Sequence, residues 1–168
     1  MNAADFKKIF HPSVLFPSLT AGLINATIMI SVEISFAALI FSGLPVRYPG
    51  LKFVSVEGGI GWVPYFLERI DYVYDHHHHW THQNFGKKRP SDVFREHIIT
   101  CFIDDPVGVR NRHAVGIDTI TWECDYPHSD TTWPDSRTHI ENQMGSLSEQ
   151  DRYQVLAGNA VRLYGLER

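Results

Sequence analysis

The sequence predicts an α/β domain built around parallel strands. Short apolar runs rich in β-branched residues alternate with helical segments along the 168-residue chain. The predicted strands are Leu51–Val56, Ile98–Asp104 and Thr119–Asp125. Because a helix separates each strand from the next, parallel β-α-β units are favoured over hairpins. Three strands are few for an independent sheet, so the chain is either a small open α/β domain or part of a barrel, which needs roughly 250 residues.

Apolar spacing, together with Gly and Pro, marks the helices. We predict helices at about Leu23–Phe41, Trp62–His76 and Pro106–Gly116, and from Arg137 towards the C-terminus. A short helical turn is predicted at Ser91–His97 with Ser91 as its cap, and Ser148 is predicted to cap the last helical region. The polar stretch His77–Pro90 is predicted to be a long loop.

Composition and charge narrow the range of functions. The hydrophobic fraction of 43% and the charged fraction of 20% are typical of a globular protein. The formal net charge is −4 with scattered Lys and Arg, so we expect no nucleic-acid partner and no membrane partner. Cys101 and Cys124 lie in apolar, strand-like runs, which favours reduced thiols and a cytoplasmic location.

The segment Val14–Val46 has Glu33 as its only charged residue and allows two interpretations. A membrane-spanning helix is one of them. Glu33 near the middle, several polar side chains and the lack of a basic bias at one flank favour the other, a buried helix.

Acidic residues follow each predicted strand. Glu57 follows the first strand, Asp104 and Asp105 the second, and Asp125 the third. Function collects at the carboxyl ends of parallel strands, so these carboxylates would converge to form a metal site or an acid–base pair. The alternative is that they cap the following helices, which is favoured for the two residues before Pro106. For Asp125 the alternative is weaker because a loop follows.

Histidines give two further candidates. The run His76–His79 is consecutive, so its side chains do not share one face of a helix or strand, and a surface loop is favoured over a metal site. His128 follows Asp125 by three positions and is predicted either to contact substrate or to hydrogen-bond within its loop.

Four segments of the chain, taken together, carry a resemblance to a known family. They are Leu51–Tyr74, Phe94–Gly108, Gly116–Pro134 (which contains CDYPH) and Gly158–Leu166. In this order they resemble the C-terminal half of amidohydrolase-related family 2, which includes aminocarboxymuconate-semialdehyde decarboxylase and hydroxybenzoate decarboxylases. The resemblance implies a partial (β/α)8 TIM barrel of the metal-dependent hydrolase type, covering roughly its last three strands. Residues 1–168 would form a single domain, truncated at its N-terminal half.

The same resemblance implies roles for individual residues. Asp125 matches the family's eighth-strand aspartate and would be a catalytic group and a ligand of a divalent metal, zinc or alternatively manganese. Glu57 stands where the decarboxylases carry a catalytic His, and would act as a general base, orient a water or anchor the glycine-rich segment Glu57–Gly61, here called the glycine loop. Trp62 and His128 would line the substrate pocket. His11 lies near the place of the fifth-strand His, but its surroundings do not match the family pattern.

The implied function is that of a metal-dependent hydrolase or non-oxidative decarboxylase acting on a small carboxylate or aromatic acid in the intact barrel. The first-strand metal ligands of the family are not found in the sequence. The alternative is therefore a catalytically inactive fragment that pairs with a separate N-terminal half or forms a homo-oligomer through its unpaired sheet edges.

Overall fold

A computed structural model describes residues 31–166 of the chain. The chain divides into two compact units, residues 1–37 and 38–168. Of the first unit, residues 31–37 are described and are helical. In the second unit, residues 38–41 are helical, and Gly43 follows with a left-handed φ of 71°. The predicted helix end at Phe41 is thus confirmed, whereas its predicted start at Leu23 and the candidate His11 lie outside the described residues.

The second unit contains a parallel three-stranded sheet in the order β1-β2-β3. The strands are β1 Phe53–Ser55, β2 Ile98–Phe102 and β3 Ile120–Trp122. Phe53 is opposite Ile98, and Thr100 is opposite Ile120. The parallel β-α-β prediction is confirmed. Each strand is shorter than predicted, because the apolar runs extend past the residues that pair with a neighbour.

The central strand of the sheet is more buried than the first strand. All five residues of the central strand β2 are buried. In β1 the pattern is uneven, with Val54 38% exposed, and Val56 just beyond the strand is 58% exposed. The prediction of a buried first strand is therefore wrong in part, because β1 pairs with β2 alone among the described residues.

Helices precede, separate and follow the strands along the chain. They are α1 Leu44–Arg47, α2 Val63–Thr81, α3 Pro90–His97, α4 Pro106–Arg110, α5 Arg112–Val115, α6 Ser136–Met144, α7 Glu149–Tyr153 and α8 Asn159–Tyr164. A 3-10 turn at Ile117–Thr119 precedes β3, and a π-helical segment at Gln154–Gly158 joins the last two helices. None of the helices within residues 31–166 is long and apolar enough to cross a membrane.

Helix α2 is longer than predicted. It continues to Thr81, so the histidine run His76–His79 is helical and the prediction of a loop there is wrong. Local bonds support the extension: His76 Nδ1 lies 2.8 Å from the Tyr72 carbonyl oxygen, and the Thr81 hydroxyl donates to the His77 carbonyl. The helix ends at His82, whose φ of 58° is left-handed.

Other predicted helix boundaries also change. Ser91 lies inside α3 rather than capping it, and Asp92 accepts a hydrogen bond from the backbone N–H of Arg89 at the start of the helix. The predicted helix Pro106–Gly116 is two helices divided at Asn111. Ser148 caps α7 as predicted, its hydroxyl accepting from the backbone N–H of Asp151.

The core lies between the sheet and the helices. Its fully buried side chains include Phe94, Phe102, Ile120 and Met144. Asn159, 1% exposed, attaches α8 to β3: its side-chain amide donates to the carbonyl oxygens of Ile117 and Ile120. Because buried carbonyl groups need a partner, this amide helps to fix β3 and the loop that follows it.

Candidate metal and acid–base site

Glu57, Asp125 and His128 lie together beyond the carboxyl ends of the parallel strands. Each offers one ligand atom, and these atoms all lie within 4.8 Å of one another. Glu57 follows β1 and Asp125 follows β3, while β2 lies between these two strands. The side chains therefore meet across the end of the central strand, as expected for a site at the mouth of a parallel sheet.

Glu57 and Asp125 share an unusual backbone conformation. Glu57 has a φ of 59° and Asp125 a φ of 56°, in the left-handed region that residues other than glycine seldom adopt. Glu57 lies two residues after the end of β1, and Asp125 lies three residues after the end of β3. Such conformations persist where the surrounding structure enforces them, and they cluster at functional sites.

The carboxylate of Asp125 is nearly enclosed, with its side chain 6% exposed. Oδ1 accepts a hydrogen bond of 2.7 Å from His128 Nδ1. Oδ2 is buried and has no hydrogen-bond partner within the described part of the chain. A buried carboxylate oxygen without a partner is unfavourable, and a bound cation would satisfy it. The donor set of two carboxylates and one imidazole fits zinc or manganese.

His128 is the exposed member of the cluster. Its side chain is 64% exposed, and its Nδ1 lies 3.7 Å from Glu57 Oε1. The loop that carries it folds back on the end of β3, where the His128 N–H donates to the Asp125 carbonyl and Thr131 Oγ1 donates to the Cys124 carbonyl. His128 is therefore held against Asp125 by backbone as well as side-chain bonds.

The pKa values of the three clustered residues shift in different directions. The negative charge of Asp125, followed by burial, raises the pKa of Glu57. The hydrogen bond and charge of Asp125 raise the pKa of His128. Burial acts to raise the pKa of Asp125, but hydrogen bonds, first that from His128, outweigh it and leave this pKa below its ordinary value. Asp125 thus stays ionised over a wider pH range than Glu57, which takes up a proton more readily.

The expected convergence of carboxylates from all three strand ends is wrong for the second strand. Asp105 turns its side chain to the backbone, where Oδ2 accepts from the N–H groups of Ile60 and Gly61 at 2.7 and 2.6 Å. Its Oδ1 accepts from Gly108 N at 2.7 Å and caps α4, which confirms the capping interpretation. Asp104 is exposed and lies outside the cluster.

Trp62 lies at the start of α2 and is not part of the carboxylate–histidine cluster. Its indole N–H donates to the carbonyl oxygens of Gly58 and Gly59 at 3.0 and 3.2 Å. Its ring packs edge-on against Phe66 and Phe94. In this position Trp62 supports the glycine loop that follows Glu57. The histidine run His76–His79 also lies outside the cluster.

Sequence reasoning missed Glu123. Its Oε1 accepts a hydrogen bond of 2.8 Å from the backbone N–H of Glu57, 66 positions away. One signal was available, since Glu123 lies two residues before Asp125 and both follow β3. Two residues at that spacing point to the same face of an extended segment.

The sequence of this chain matches a model of a known protein family. A family model described as amidohydrolase matches residues 20–166. No curated protein matches the chain significantly.

Solved structures share the fold over most of this chain. 5-Carboxyvanillate decarboxylase from Sphingomonas paucimobilis is similar at a TM-score of 0.68 and 24% identity over 82% of this chain and 40% of that chain. An amidohydrolase from Mycobacterium avium subsp. paratuberculosis K-10 is similar at a TM-score of 0.67 and 22% identity, over 80% of this chain and 33% of that chain. A dihydroxybenzoic acid decarboxylase from Polaromonas sp. JS666 was solved with bound manganese and the inhibitor 2-nitroresorcinol. It is similar at a TM-score of 0.60 and 27% identity, over 81% of this chain and 40% of that chain. The chain thus spans 33% to 40% of the length of these proteins, and its small parallel sheet matches part of their fold.

Proposed function

Since the chain belongs to the amidohydrolase family, we propose that it carries part of a metal-dependent active site for hydrolysis or non-oxidative decarboxylation of a small carboxylate or aromatic acid. Family membership confirms the resemblance inferred from the sequence. The α/β fold matches part of the family's TIM barrel, and we assign the three strands to the last part of that barrel. Under this proposal residues 1–168 form one domain corresponding to the family's C-terminal half. The observation that carries the proposal is the buried Oδ2 of Asp125, which has no hydrogen-bond partner among the residues that the structure describes.

We assign Asp125 as the metal ligand. Its Oδ2 would bind the divalent ion, zinc or manganese, while Oδ1 remains hydrogen-bonded to His128. A second bond of this kind orients a ligand and is common around metal sites. The bound ion would polarise a substrate carboxylate or lower the pKa of a bound water.

Glu57 is assigned as the proton carrier. It is exposed, and the Asp125 charge beside it raises its pKa. Decarboxylation needs a proton delivered to the carbon that loses CO₂, whereas hydrolysis needs a proton taken from water. Glu57 fits either role. His128 would contact the substrate through its exposed edge, and Trp62 would shape the pocket by holding the glycine loop.

Metal analysis tests the assignment directly. The protein would be equilibrated with Zn²⁺ or Mn²⁺, dialysed, and measured by inductively coupled plasma mass spectrometry. We expect bound metal in the wild type and in Asp104→Asn, whose acid follows β2 outside the cluster, and a loss of at least about tenfold in Asp125→Asn. Equal metal content in wild type and Asp125→Asn would refute the assignment.

A second candidate is an inactive fragment that completes its barrel with a separate N-terminal half or with another copy of itself. The exposed Val54 and Val56 at the β1 end of the sheet favour this candidate. Within residues 31–166 β1 pairs with β2 alone, and an exposed apolar edge promotes association. Size-exclusion chromatography with light scattering and metal analysis separates the two. A metal-free oligomer supports the fragment, whereas stoichiometric metal with turnover supports the enzyme.

A cytoplasmic location is part of the same proposal. Cys101 and Cys124 are both free thiols in the structure, and reduced thiols are usual in that compartment. Fractionation of cells that express the native gene, followed by immunodetection, would test it. Recovery of the protein from a secreted or membrane fraction would contradict this location.

A further inference from the structure

We propose that Glu123 is a positioning residue that holds Glu57 in its left-handed conformation and so directs the Glu57 carboxylate towards Asp125. The proposal rests on the function proposed for the site, because it assigns a role within the same cluster. Glu123 acts through Glu57 and is not itself among the three grouped ligand residues.

Glu123 connects the ends of β1 and β3, two strands that are not neighbours in the sheet. β2 lies between β1 and β3, so no ladder hydrogen bond can join the outer strands. The backbone N–H of Glu123 donates to the Phe102 carbonyl at the end of β2, at 3.0 Å. Its side chain then accepts from the Glu57 N–H beyond the end of β1, at 2.8 Å. One half-buried residue thus links all three strand ends.

The backbone at Glu57 needs such a link. Its left-handed φ of 59° is unfavourable for a side-chain-bearing residue, and the next two residues, Gly58 and Gly59, are free to adopt many conformations. Gly59 itself has a φ of 63°. A hydrogen bond to the Glu57 N–H offsets the local cost and restricts the loop at the residue that carries the carboxylate.

The acceptor oxygen and the negative charge of Glu123 make separable contributions. Glu123→Gln keeps an oxygen at the same reach and removes the charge. Glu123→Asp keeps the charge and shortens the side chain by one methylene, while Glu123→Ala removes both. A positioning role through the hydrogen bond predicts that Gln preserves function and that Asp and Ala do not.

The first measurement is hydrogen exchange of the Glu57 amide by NMR in the metal-free chain. We expect slow exchange in wild type and Glu123→Gln, and exchange about tenfold faster in Glu123→Ala and Glu123→Asp, as for the loss of one hydrogen bond. Equal exchange in wild type and Glu123→Asp would overturn the proposal. Circular dichroism shows which variants are folded. If Glu123→Ala does not fold, the comparison of wild type with Glu123→Asp decides the role of Glu123.

The second measurement is Mn²⁺ affinity, followed by the loss of the free-ion electron paramagnetic resonance signal. We expect affinity about 10- to 100-fold weaker in Glu123→Ala and Glu123→Asp, and within about threefold of wild type in Glu123→Gln. Equal losses in Gln and Ala would show that charge acts instead of position, and would overturn the proposal. If the wild type does not bind Mn²⁺, the function proposed for the site fails, and amide exchange still decides the role of Glu123.

Discussion

His128 Nδ1 and Asp125 Oδ1 lie 2.7 Å apart, and this hydrogen bond determines which carboxylate oxygen is left to bind a metal ion. One oxygen is committed to the imidazole, while Oδ2 is buried without a hydrogen-bond partner among residues 31–166. The pair therefore presents a single oriented oxygen at the strand ends. The ionisation of Asp125 and His128 should therefore affect the stability of the protein as well as metal binding.

The contribution of this ion pair should depend on pH. The raised pKa of His128 means that its stabilisation is full below about pH 6.5 and is lost as pH rises through the folded-state pKa. The lowered pKa of Asp125 means that its stabilisation is full above about pH 3.9 and is lost as pH falls through the folded-state pKa. We expect the melting temperature of metal-free wild type to exceed that of His128→Asn most at about pH 5 to 6. A difference that grows above about pH 8 would contradict this prediction.

The two thiols should differ in reactivity. Burial raises the pKa of Cys101 to about 12, and its side chain lies in the fully buried strand β2. Cys124 lies beyond β3 and is less buried. Because the thiolate is the reactive form, a colorimetric disulfide reagent at about pH 8 should titrate one thiol of the native protein quickly. Cys124→Ser should abolish the fast phase, whereas Cys101→Ser should preserve it.

Asn159 should be important for stability. Replacement by Leu removes donors to two backbone carbonyl groups, those of Ile117 and Ile120, in a site that is 1% exposed. We expect a loss of about 2 to 4 kcal/mol in the free energy of unfolding, measured with urea. The matched control is Asn142→Leu on the exposed surface of α6, expected to change stability by about 0.5 kcal/mol or less. Similar stability of the two variants would argue against the role of Asn159.

Asp105 should stabilise the glycine loop as well as α4. Its carboxylate accepts from three backbone N–H groups, two of them in the loop between β1 and α2. We expect Asp105→Ala to lower the unfolding free energy by roughly 2 to 4 kcal/mol, and Asp105→Asn to lower it less, since one oxygen remains. Asp104→Asn serves as the neighbouring control and should be nearly neutral. A nearly neutral Asp105→Ala would show that the loop does not depend on these bonds.

Local sequence was informative where local physics decides the structure. The β-branched runs predicted three parallel strands, and the positions of Glu57 and Asp125 at strand ends placed both residues at the mouth. The polar run His76–His79 was misleading because polarity says little about helix length when backbone and hydroxyl groups are satisfied within the helix. The bond between Glu123 and Glu57 joins residues 66 positions apart. The spacing of Glu123 and Asp125 indicates a shared face of the chain, but it does not identify the partner of Glu123.

The left-handed backbone at Glu57 and Asp125 has a consequence for protein engineering. Glycine is the residue that such a backbone accommodates most easily, so the backbone alone disfavours the acid at both positions. Replacing Glu57 by glycine should relax the turn and remove a negative charge from beside Asp125. Asp125 differs, because its hydrogen bond to His128 would be lost with the side chain. A variant selected only for resistance to heat would therefore tend to discard Glu57 first, and would lose part of the site while retaining the sheet around it.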